Sequence, residues 1–202
     1  MSQVIEELQA EDRVLEIAKL FPRQGQWTED DYFKLPETNG IVELSKGRLI
    51  ITPAPTTEHQ IILGNLYFVA KGYIMSKNLG TILMSPIDVR LWTGNIRQPD
   101  IVFISDEHRD RITKQYCSVP DLVIEITSSG TENQDRIDKF YEYQKAGVSE
   151  YWIVDPYKQA IEILTLENGT YVLFGNWGIG EVAKSKLLTG FEVNIDELME
   201  GD

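Results

Sequence analysis

The sequence predicts an α+β (mixed α/β) domain in which helices pack against one central β-sheet. The first observation is the segment LVIEI at residues 122–126, which is rich in β-branched residues and bounded by Pro120 and by the sequence SSG at 128–130, as expected for a buried strand. The second is the helical periodicity of apolar residues over residues 59–76. The third is another helical segment, residues 135–147, so that a helix lies on each side of the strand in the chain.

The composition limits the classes of function. The 202 residues are enough for one well-packed domain, and 42% hydrophobic with 10% aromatic residues is typical of globular proteins. The formal net charge of −13 argues against a general polyanion binder, because non-specific affinity for nucleic acid comes mostly from Lys and Arg at phosphates. Any contact with nucleic acid must therefore be local.

Three further features bear on the compartment. The single cysteine, Cys117, excludes an intrachain disulfide framework and suits a reducing compartment, and we expect it to be a small buried residue. The acidic start of the chain lacks a basic segment followed by an apolar one, and no apolar run approaches the roughly 20 residues of a membrane span. We therefore expect a soluble, cytoplasmic protein with no membrane partner.

The N-terminal half is expected to contain a helical extension, residues 1–27, followed by a single domain, residues 28–202. In the extension, a helix over residues 3–20 would end at the Phe-Pro pair that follows it. The capping-box sequence TEDD at 28–31 then begins a short helix that Pro36 stops. A hairpin follows, with strands at 41–44 and 48–52 joined by Ser-Lys-Gly, and then comes the long helix.

The C-terminal half is predicted to be mostly strands. Residues 81–84, 87–92 and 100–104 are expected to form three strands of a meander, with the strand at 122–126 as the fourth and the charged segment 106–113 as an exposed helix or loop. After the helix at 135–147, which Gly147 would end in a left-handed conformation, the pattern predicts these elements: a strand at 151–154, a hairpin of 161–166 with 171–174, a strand at 191–193 and a helix at 195–199.

Two carboxylates define a candidate metal site. Glu125 lies inside the apolar strand, where an ionised side chain needs a cation, a donor or a metal. Asp121, four residues earlier, is about 13 Å away along the same strand and cannot share an ion with it. Asp100 begins a different strand after Pro99, and neighbouring strands are only about 4.8 Å apart, so Asp100 beside Glu125 could hold one divalent cation. Oxygen ligands without a Cys or His pair suit Mg²⁺ or Mn²⁺.

The sequence alone does not identify the side chain that compensates the charge of Glu125. Asp135, Lys139 and Tyr143 are spaced by four and share one helix face, but the spacing does not decide whether Lys139 faces the site or water. Glu125 could instead form an ion pair with Lys139 or Arg90 that has only a structural role. Asp100 could likewise belong to a Pro-Asp turn that leads into a strand. Scattered cations could line a phosphate groove: Arg48, Arg90, Arg97 and Lys114.

These residues resemble a known family. The matching segments, in order, are QPDIVFI at 98–104, PDLVIEITS at 120–128, Asp135 with Lys139 and Tyr143, and GVSEYWIVD at 147–155, with GIVELSKGRL at 40–49 and His59 upstream. Together they resemble the Uma-two family of bacterial restriction-endonuclease proteins, within the PD-(D/E)XK nuclease-like superfamily, over most of residues 28–193. The resemblance implies a restriction-endonuclease-like fold, a central mixed β-sheet flanked by helices.

The resemblance also implies roles. Asp100 would be the motif aspartate, and Glu125 the acid of the second element, together the metal ligands. The sequence departs from the superfamily two residues after Glu125, where Thr127 replaces the lysine, and the family's lysine on the next helix would be Lys139. Glu43 would be an auxiliary acid. Two further auxiliary residues are implied: His59, whose role is open, and Tyr143, which could bind a phosphate or hold the lysine.

The implied activity is that of a hydrolase, a Mg²⁺- or Mn²⁺-dependent endonuclease acting on DNA, with duplex DNA as substrate and a homodimer as the active form. The alternative is a catalytically degenerate nuclease-fold protein that serves as an acidic protein- or nucleic-acid-binding module. The net charge of −13 and Thr127 favour the alternative.

Overall fold

The structure, a computed structural model, describes residues 21–36, 40–127 and 132–200, and the helix predicted at residues 3–20 lies outside them. The described part of the chain forms four α-helices and twelve β-strands. The helices are α1 Glu29–Tyr32, α2 Thr57–Lys77, α3 Glu132–Ala146 and α4 Ile195–Met199. The strands are β1 Ile41–Ser45, β2 Arg48–Thr52, β3 Gly80–Met84, β4 Val89–Trp92, β5 Asn95–Arg97, β6 Ile101–Ser105, β7 Leu122–Ile126, β8 Glu150–Asp155, β9 Ala160–Glu167, β10 Thr170–Trp177, β11 Val182–Lys184 and β12 Glu192–Asn194.

A six-stranded mixed sheet, in the order β10-β9-β8-β7-β6-β3, is the centre of the fold. Strand β7 pairs parallel with β8 and antiparallel with β6, and the other neighbours in this sheet are antiparallel. All five residues of β7 are buried, as the run of β-branched residues predicted. The α+β class with a central mixed sheet is confirmed.

The prediction of a single sheet with a three-strand meander is wrong. Strand β3 pairs with β6, but β4 pairs with β5, and both belong to a separate four-stranded antiparallel sheet in the order β2-β1-β5-β4. The short strand β5 was not expected, because the sequence around Gly94 reads as a simple turn between long strands. In the structure β5 returns along β4 and pairs with β1 through Leu44 and Ile96, which are both fully buried with Tyr32 in a small core of their own.

Helices cover both faces of the six-stranded sheet. Helix α2 packs its residues Ile62, Leu66 and Ile74 against the face that carries Ile124 and Trp152. On the opposite face, Tyr143 of α3 packs with residues such as Val123 and Tyr151. Because side chains alternate along a strand, Glu125 of β7 points to the α3 face.

Several local predictions are confirmed. Thr28 and Asp31 form the capping box of α1, Gly147 adopts a positive φ of 91° after α3, and Cys117 is buried. The β1–β2 turn uses positive φ at Lys46 and Gly47, as a tight hairpin turn requires.

No helix in the described segments is long and apolar enough to cross a membrane.

Candidate active site

Asp100 and Glu125 come together where β6 meets β7. The antiparallel register pairs Ile101 with Ile124, so the next residues outward, Asp100 and Glu125, lie opposite each other. The Oδ2 atom of Asp100 accepts a hydrogen bond of 2.7 Å from the backbone N–H of Ile126, which directs its carboxylate toward β7 beside Glu125. Both acids are buried. The structure thus brings together the two carboxylates that the sequence singled out.

His59 reaches the same place from the first turn of α2. The helix is capped by Thr56, whose side chain accepts a hydrogen bond of 3.2 Å from the backbone N–H of His59. The His59 Nε2 atom lies 3.2 Å from Oδ2 of Asp100. Burial lowers the pKa of His59, but the hydrogen bond and charge of Asp100 outweigh it and raise the pKa above its ordinary value. The imidazole therefore contacts the Asp100 carboxylate, whose negative charge favours the protonated form of the ring.

Two side chains of helix α3 donate hydrogen bonds to the carboxylate of Glu125. The Lys139 ammonium donates to Oε2 at 3.0 Å, and the Tyr143 hydroxyl donates to Oε1 at 2.6 Å. One helical turn separates the two donors, so they approach the carboxylate from the same face of α3. Of the two orientations that the spacing left open for Lys139, the structure has the one that faces the site.

The environment of Glu125 raises the pKa of its carboxyl group. Burial raises the pKa of Glu125 to about 7, the positive charge of Lys139 opposes the shift, and the negative charges of Asp100 and Glu43 add to it. Burial beside Glu125 also raises the pKa of the Tyr143 hydroxyl well above its ordinary value. Tyr143 is therefore a neutral hydrogen-bond donor over the whole range in which Glu125 titrates.

Glu43, from β1, lies behind the lysine. Its Oε2 atom is 2.8 Å from Nη1 of Arg97, and its Oε1 atom accepts from the backbone N–H of Gln98 at 2.9 Å and lies 3.7 Å from the Lys139 ammonium. Burial tends to raise the pKa of Glu43, but the charges of Lys139 and Arg97 outweigh it and lower the pKa. Glu43 is consequently ionised and helps to fix the position of Lys139 between two carboxylates.

The sequence interpretation missed the role of Arg97 and Glu142. Arg97 is fully buried, with its Nε atom 2.6 Å from Oε2 of Glu142, so this cation does not line a surface groove. Glu142 also accepts a hydrogen bond of 2.5 Å from the Ser45 hydroxyl and thereby connects α3 to the four-stranded sheet. Arg90, the other alternative partner of Glu125, instead forms an ion pair with Glu29 at 2.8 Å. No local pattern marks Arg97, because its partners are far away in the chain.

The charges of this region suit a hard divalent cation. Four buried carboxylates, those of Glu43, Asp100, Glu125 and Glu142, face the two permanent cations Arg97 and Lys139. Negative charge is thus in excess when all four acids are ionised. The Thr127 hydroxyl, on the same face of the chain two residues after Glu125, is buried and has no hydrogen-bond partner among the residues that the structure describes.

The number of ligands is also informative. Within the ranges that the structure describes, no group of three or more His, Cys, Asp or Glu side chains is arranged to hold a metal ion. The protein ligands would therefore be the two carboxylates of Asp100 and Glu125. Mg²⁺ is often bound in this way, by one or two carboxylates together with water and substrate phosphate. The residues present fit Mg²⁺ or Mn²⁺ better than a metal that needs a complete protein cage.

Comparison with a solved structure shows a shared fold. The crystal structure of "a putative nuclease belonging to DUF820" from Anabaena variabilis ATCC 29413 superposes with a TM-score of 0.72 at 19% sequence identity, covering 85% of this chain and 97% of that one. The sequence itself matches the Uma2 family, described as "Putative restriction endonuclease", over residues 29–196. The chain belongs to this family, which confirms the resemblance. No curated protein matches it.

Proposed function

We propose that this protein is a metal-dependent nuclease that hydrolyses phosphodiester bonds of DNA. The observation that carries the proposal is the position of Asp100 and Glu125, opposite each other on adjacent strands, with the Lys139 ammonium 3.0 Å from Glu125. Family membership and the nuclease-like fold support the same reaction class. Two acids and a lysine are the groups that phosphoryl transfer to water needs, because it depends on positioning and on neutralising charge around phosphorus.

In this proposal Asp100 and Glu125 are the metal ligands, and the cation is Mg²⁺ or Mn²⁺. A bound divalent cation supplies a Lewis acid for a phosphate oxygen and lowers the pKa of the attacking water. His59 holds the Asp100 carboxylate through the contact at 3.2 Å, and Tyr143 holds that of Glu125 through its hydroxyl. Both are positioning residues, since they act through the carboxylates.

Lys139 is the catalytic cation. Its ammonium lies between Glu125 and Glu43, where it can reach a water or a phosphate oxygen at the carboxylate pair without leaving the site. There it would orient the water and offset the charge that develops on the phosphate oxygens. Thr127, the residue at the superfamily's usual lysine position, carries no charge and cannot take this role. Glu43 and, behind it, Arg97 would keep the lysine in place.

The proposed substrate is duplex DNA and the proposed active form is a homodimer. The two strands of a duplex are antiparallel and related by a two-fold axis, and a symmetric dimer presents one site to each strand. The net charge of −13 means that DNA would be held by few local contacts. Exposed Arg48 on β2, in the same sheet as Glu43, is one cation available for such a contact.

A second candidate function has one structural observation in its favour, besides the net charge and Thr127. Both carboxylate oxygens of Glu125 already have donors, Lys139 and Tyr143, so the buried charge is compensated by the chain alone. A degenerate nuclease-fold protein, acting as an acidic module that binds protein or nucleic acid, would show the same arrangement. The two functions differ in whether a divalent cation is required.

The deciding experiment follows the conversion of supercoiled plasmid to nicked and linear forms with Mg²⁺, with Mn²⁺ and with a chelator. Asp100→Asn and Lys139→Gln are compared with the wild type, and Lys46→Gln is the matched control, because Lys46 also pairs with an acid of α3, Asp138, but is exposed. Cutting that needs a cation and is lost in the first two variants supports the nuclease. Wild-type protein that binds a cation but cuts neither plasmid nor a mixture of genomic fragments contradicts it and favours the binding module.

A further inference from the structure

Helix α2 carries an exposed apolar face that the described residues of the chain leave uncovered. One side of the helix is buried against the central sheet, through residues such as Ile62, Leu66 and Ile74. The opposite side exposes Ile61, Phe68 and Met75, with 39%, 78% and 63% of their surfaces accessible. A helix that is apolar on both sides is expected to be covered on both sides. We refer to Ile61, Gly64, Phe68, Gly72 and Met75 as the α2 face.

Two glycines inside this helix indicate close packing by another molecule. Glycine in a helix interior lowers helix stability relative to alanine. No packing among the residues that the structure describes requires Gly64 or Gly72, because a Cβ atom added at either position would meet no atom of theirs within 4 Å. Both have a negative φ, so backbone conformation does not require glycine either. Each glycine leaves a shallow gap beside exposed apolar side chains, into which the side chain of a neighbouring helix can fit.

The order of these residues is symmetric about Phe68. Ile61 and Met75 lie seven residues before and after it, and Gly64 and Gly72 lie four residues before and after it. At 3.6 residues per turn, offsets of four and seven stay on one face of a helix. An antiparallel pair related by a two-fold axis at Phe68 would therefore place Ile61 of one copy beside Met75 of the other, and Gly64 beside Gly72, so that the two helices approach closely on both sides of Phe68. This self-complementarity is what an isologous interface requires and is not needed by an unrelated partner.

We propose that the α2 face is the interface of a homodimer, in which two copies of helix α2 pack antiparallel across a two-fold axis at Phe68. The charges agree with a second copy as the occupant. The chain carries a net charge of −13, but α2 contains one acidic residue, Glu58, and two lysines, Lys71 and Lys77, and the α2 face itself is uncharged. Antiparallel packing brings the first turn, with Glu58, beside the partner's last turn, with Lys77, and opposes the two helix dipoles.

The size of the interface indicates its strength. A helix of 21 residues is about 30 Å long, and two such helices in contact form an interface at the lower end of the range for specific complexes. We therefore expect monomer and dimer to exchange at micromolar concentrations. His59 is nine residues from Phe68, so the two copies of His59 would lie about 27 Å apart along the helix axes, and each candidate active site keeps only its own residues.

Sedimentation equilibrium of the full chain, over a micromolar concentration series, tests the interface without substrate or metal, so it stands apart from the proposed nuclease activity. We expect a monomer–dimer equilibrium for the wild type. Phe68→Asp should weaken the dimer at least about 30-fold, because an exposed aromatic at the centre of an interface is a typical hot spot. Leu173→Asp is the matched control, an equally apolar exposed residue on the edge strand β10. It should leave the dimer unchanged.

Two further variants test the geometry. Gly64→Gln and Gly72→Gln should raise the melting temperature, because glutamine is the better helix former, and should weaken the dimer by filling the gaps. Phe68→Cys should form a covalent dimer when an oxidant is added, because a residue on the two-fold axis faces its own copy, whereas Leu173→Cys should not. Cys117 is buried and does not compete. A wild type that stays monomeric at high micromolar concentration, or a dimer that all these α2 variants leave intact, overturns the proposal.

Discussion

The Lys139 ammonium lies 3.0 Å from a carboxylate oxygen of Glu125, although the two residues are 14 positions apart and lie on different elements. This contact converts a carboxylate in an apolar strand, which is unfavourable alone, into half of a buried ion pair. It also fixes a positive charge beside the pair formed by Asp100 and Glu125. The same contact thus accounts for the tolerance of Glu125 in the core and for the proposed catalytic lysine.

Lys139→Gln tests the proposed catalytic lysine separately from the proposed metal ligands, Asp100 and Glu125. Removing the ammonium leaves Glu125 and Glu43 without a shared cation, so the protein should lose on the order of 3 kcal/mol of unfolding free energy in a chelator. Plasmid cleavage should fall about 100-fold or more, as for other groups that stabilise transition-state charge. Stabilisation by Mn²⁺ should persist, because both carboxylates remain. Loss of Mn²⁺ stabilisation together with cleavage would contradict the separate role of Lys139.

Asp100→Asn should abolish stabilisation by a divalent cation. In a thermal-unfolding series, a cation at 100 times its dissociation constant should stabilise the wild type by about 2.7 kcal/mol, since it binds only the folded state. The variant should show no shift. Asp121→Asn is the control, because Asp121 is a buried acid near the same sheet that instead accepts from the backbone N–H of Ser105 and contacts His108.

The Asp121→Asn control should be less stable than the wild type, but Mg²⁺ should still stabilise it against thermal unfolding. An equal cation shift in Asp100→Asn and in the wild type would remove Asp100 from the ligand set. An absent shift in the wild type would instead favour the acidic binding module.

The raised pKa of Glu125 predicts a loss of stability as the pH rises. Burial raises this pKa from 4.5 to about 7, so between these values the folded state binds more protons than the unfolded state. The slope of unfolding free energy with pH is then negative, and the stability contributed below pH 4.5 is lost as the pH rises through about 7. The raised pKa of His59 acts in the same direction at higher pH.

Urea unfolding in a chelator at about pH 5 and about pH 8 measures this loss, which should be on the order of 3 kcal/mol from Glu125. Glu125→Gln, which cannot ionise, should show a clearly smaller change. Glu162→Gln, a substitution of a partly exposed acid on β9, should behave as the wild type. Saturating Mg²⁺ should reduce the loss, because the cation favours ionised Glu125. A wild type whose stability rises over this interval would contradict the assignment.

The sequence was sufficient to predict the local helices, strands and turns, and to predict that Asp100 and Glu125 lie close together. Capping residues, turn glycines and periodicity are local signals, so helix α2, both predicted hairpins and strand β7 were located from them. Asp100 and Glu125 could be placed together because each lies at a definable position in a strand, and antiparallel neighbours are close. Pairing between distant strands has no such local signal, which is why the separate sheet formed by β4 and β5 with β1 was missed.

Contacts between residues that are distant in the chain also decide two features of the site that the sequence did not predict, the orientation of Lys139 and the burial of Arg97. Helical spacing put Lys139 on a face but could not orient that face, since the decision depends on how α3 packs on the sheet. Arg97 was treated as a surface cation, because nothing near it in the chain shows that Glu43 and Glu142, 54 and 45 residues away, meet it in the interior. Buried ionic groups are identified by their partners, and their partners are known only from the fold.

Arg97 should be a structural residue whose loss is costly. Its guanidinium is fully buried between Glu43, at 2.8 Å, and Glu142, at 2.6 Å, so Arg97→Met takes a buried cation away from two buried carboxylates. We expect a loss of about 3–5 kcal/mol of unfolding free energy, measured by urea denaturation. Lys184→Gln, which breaks the exposed pair with Glu192, should cost less than about 1 kcal/mol.

A triple variant tests whether the loss of stability comes from the two acids that no longer contact the arginine. If Glu43→Gln and Glu142→Gln are combined with Arg97→Met, no buried charge of the group remains, and much of the stability should return. The triple variant should nevertheless cut DNA poorly, because Glu43 no longer fixes Lys139. Stability that stays as low as in Arg97→Met alone would mean that the packing of the arginine side chain, and not its charge, is what connects the four-stranded sheet to α3.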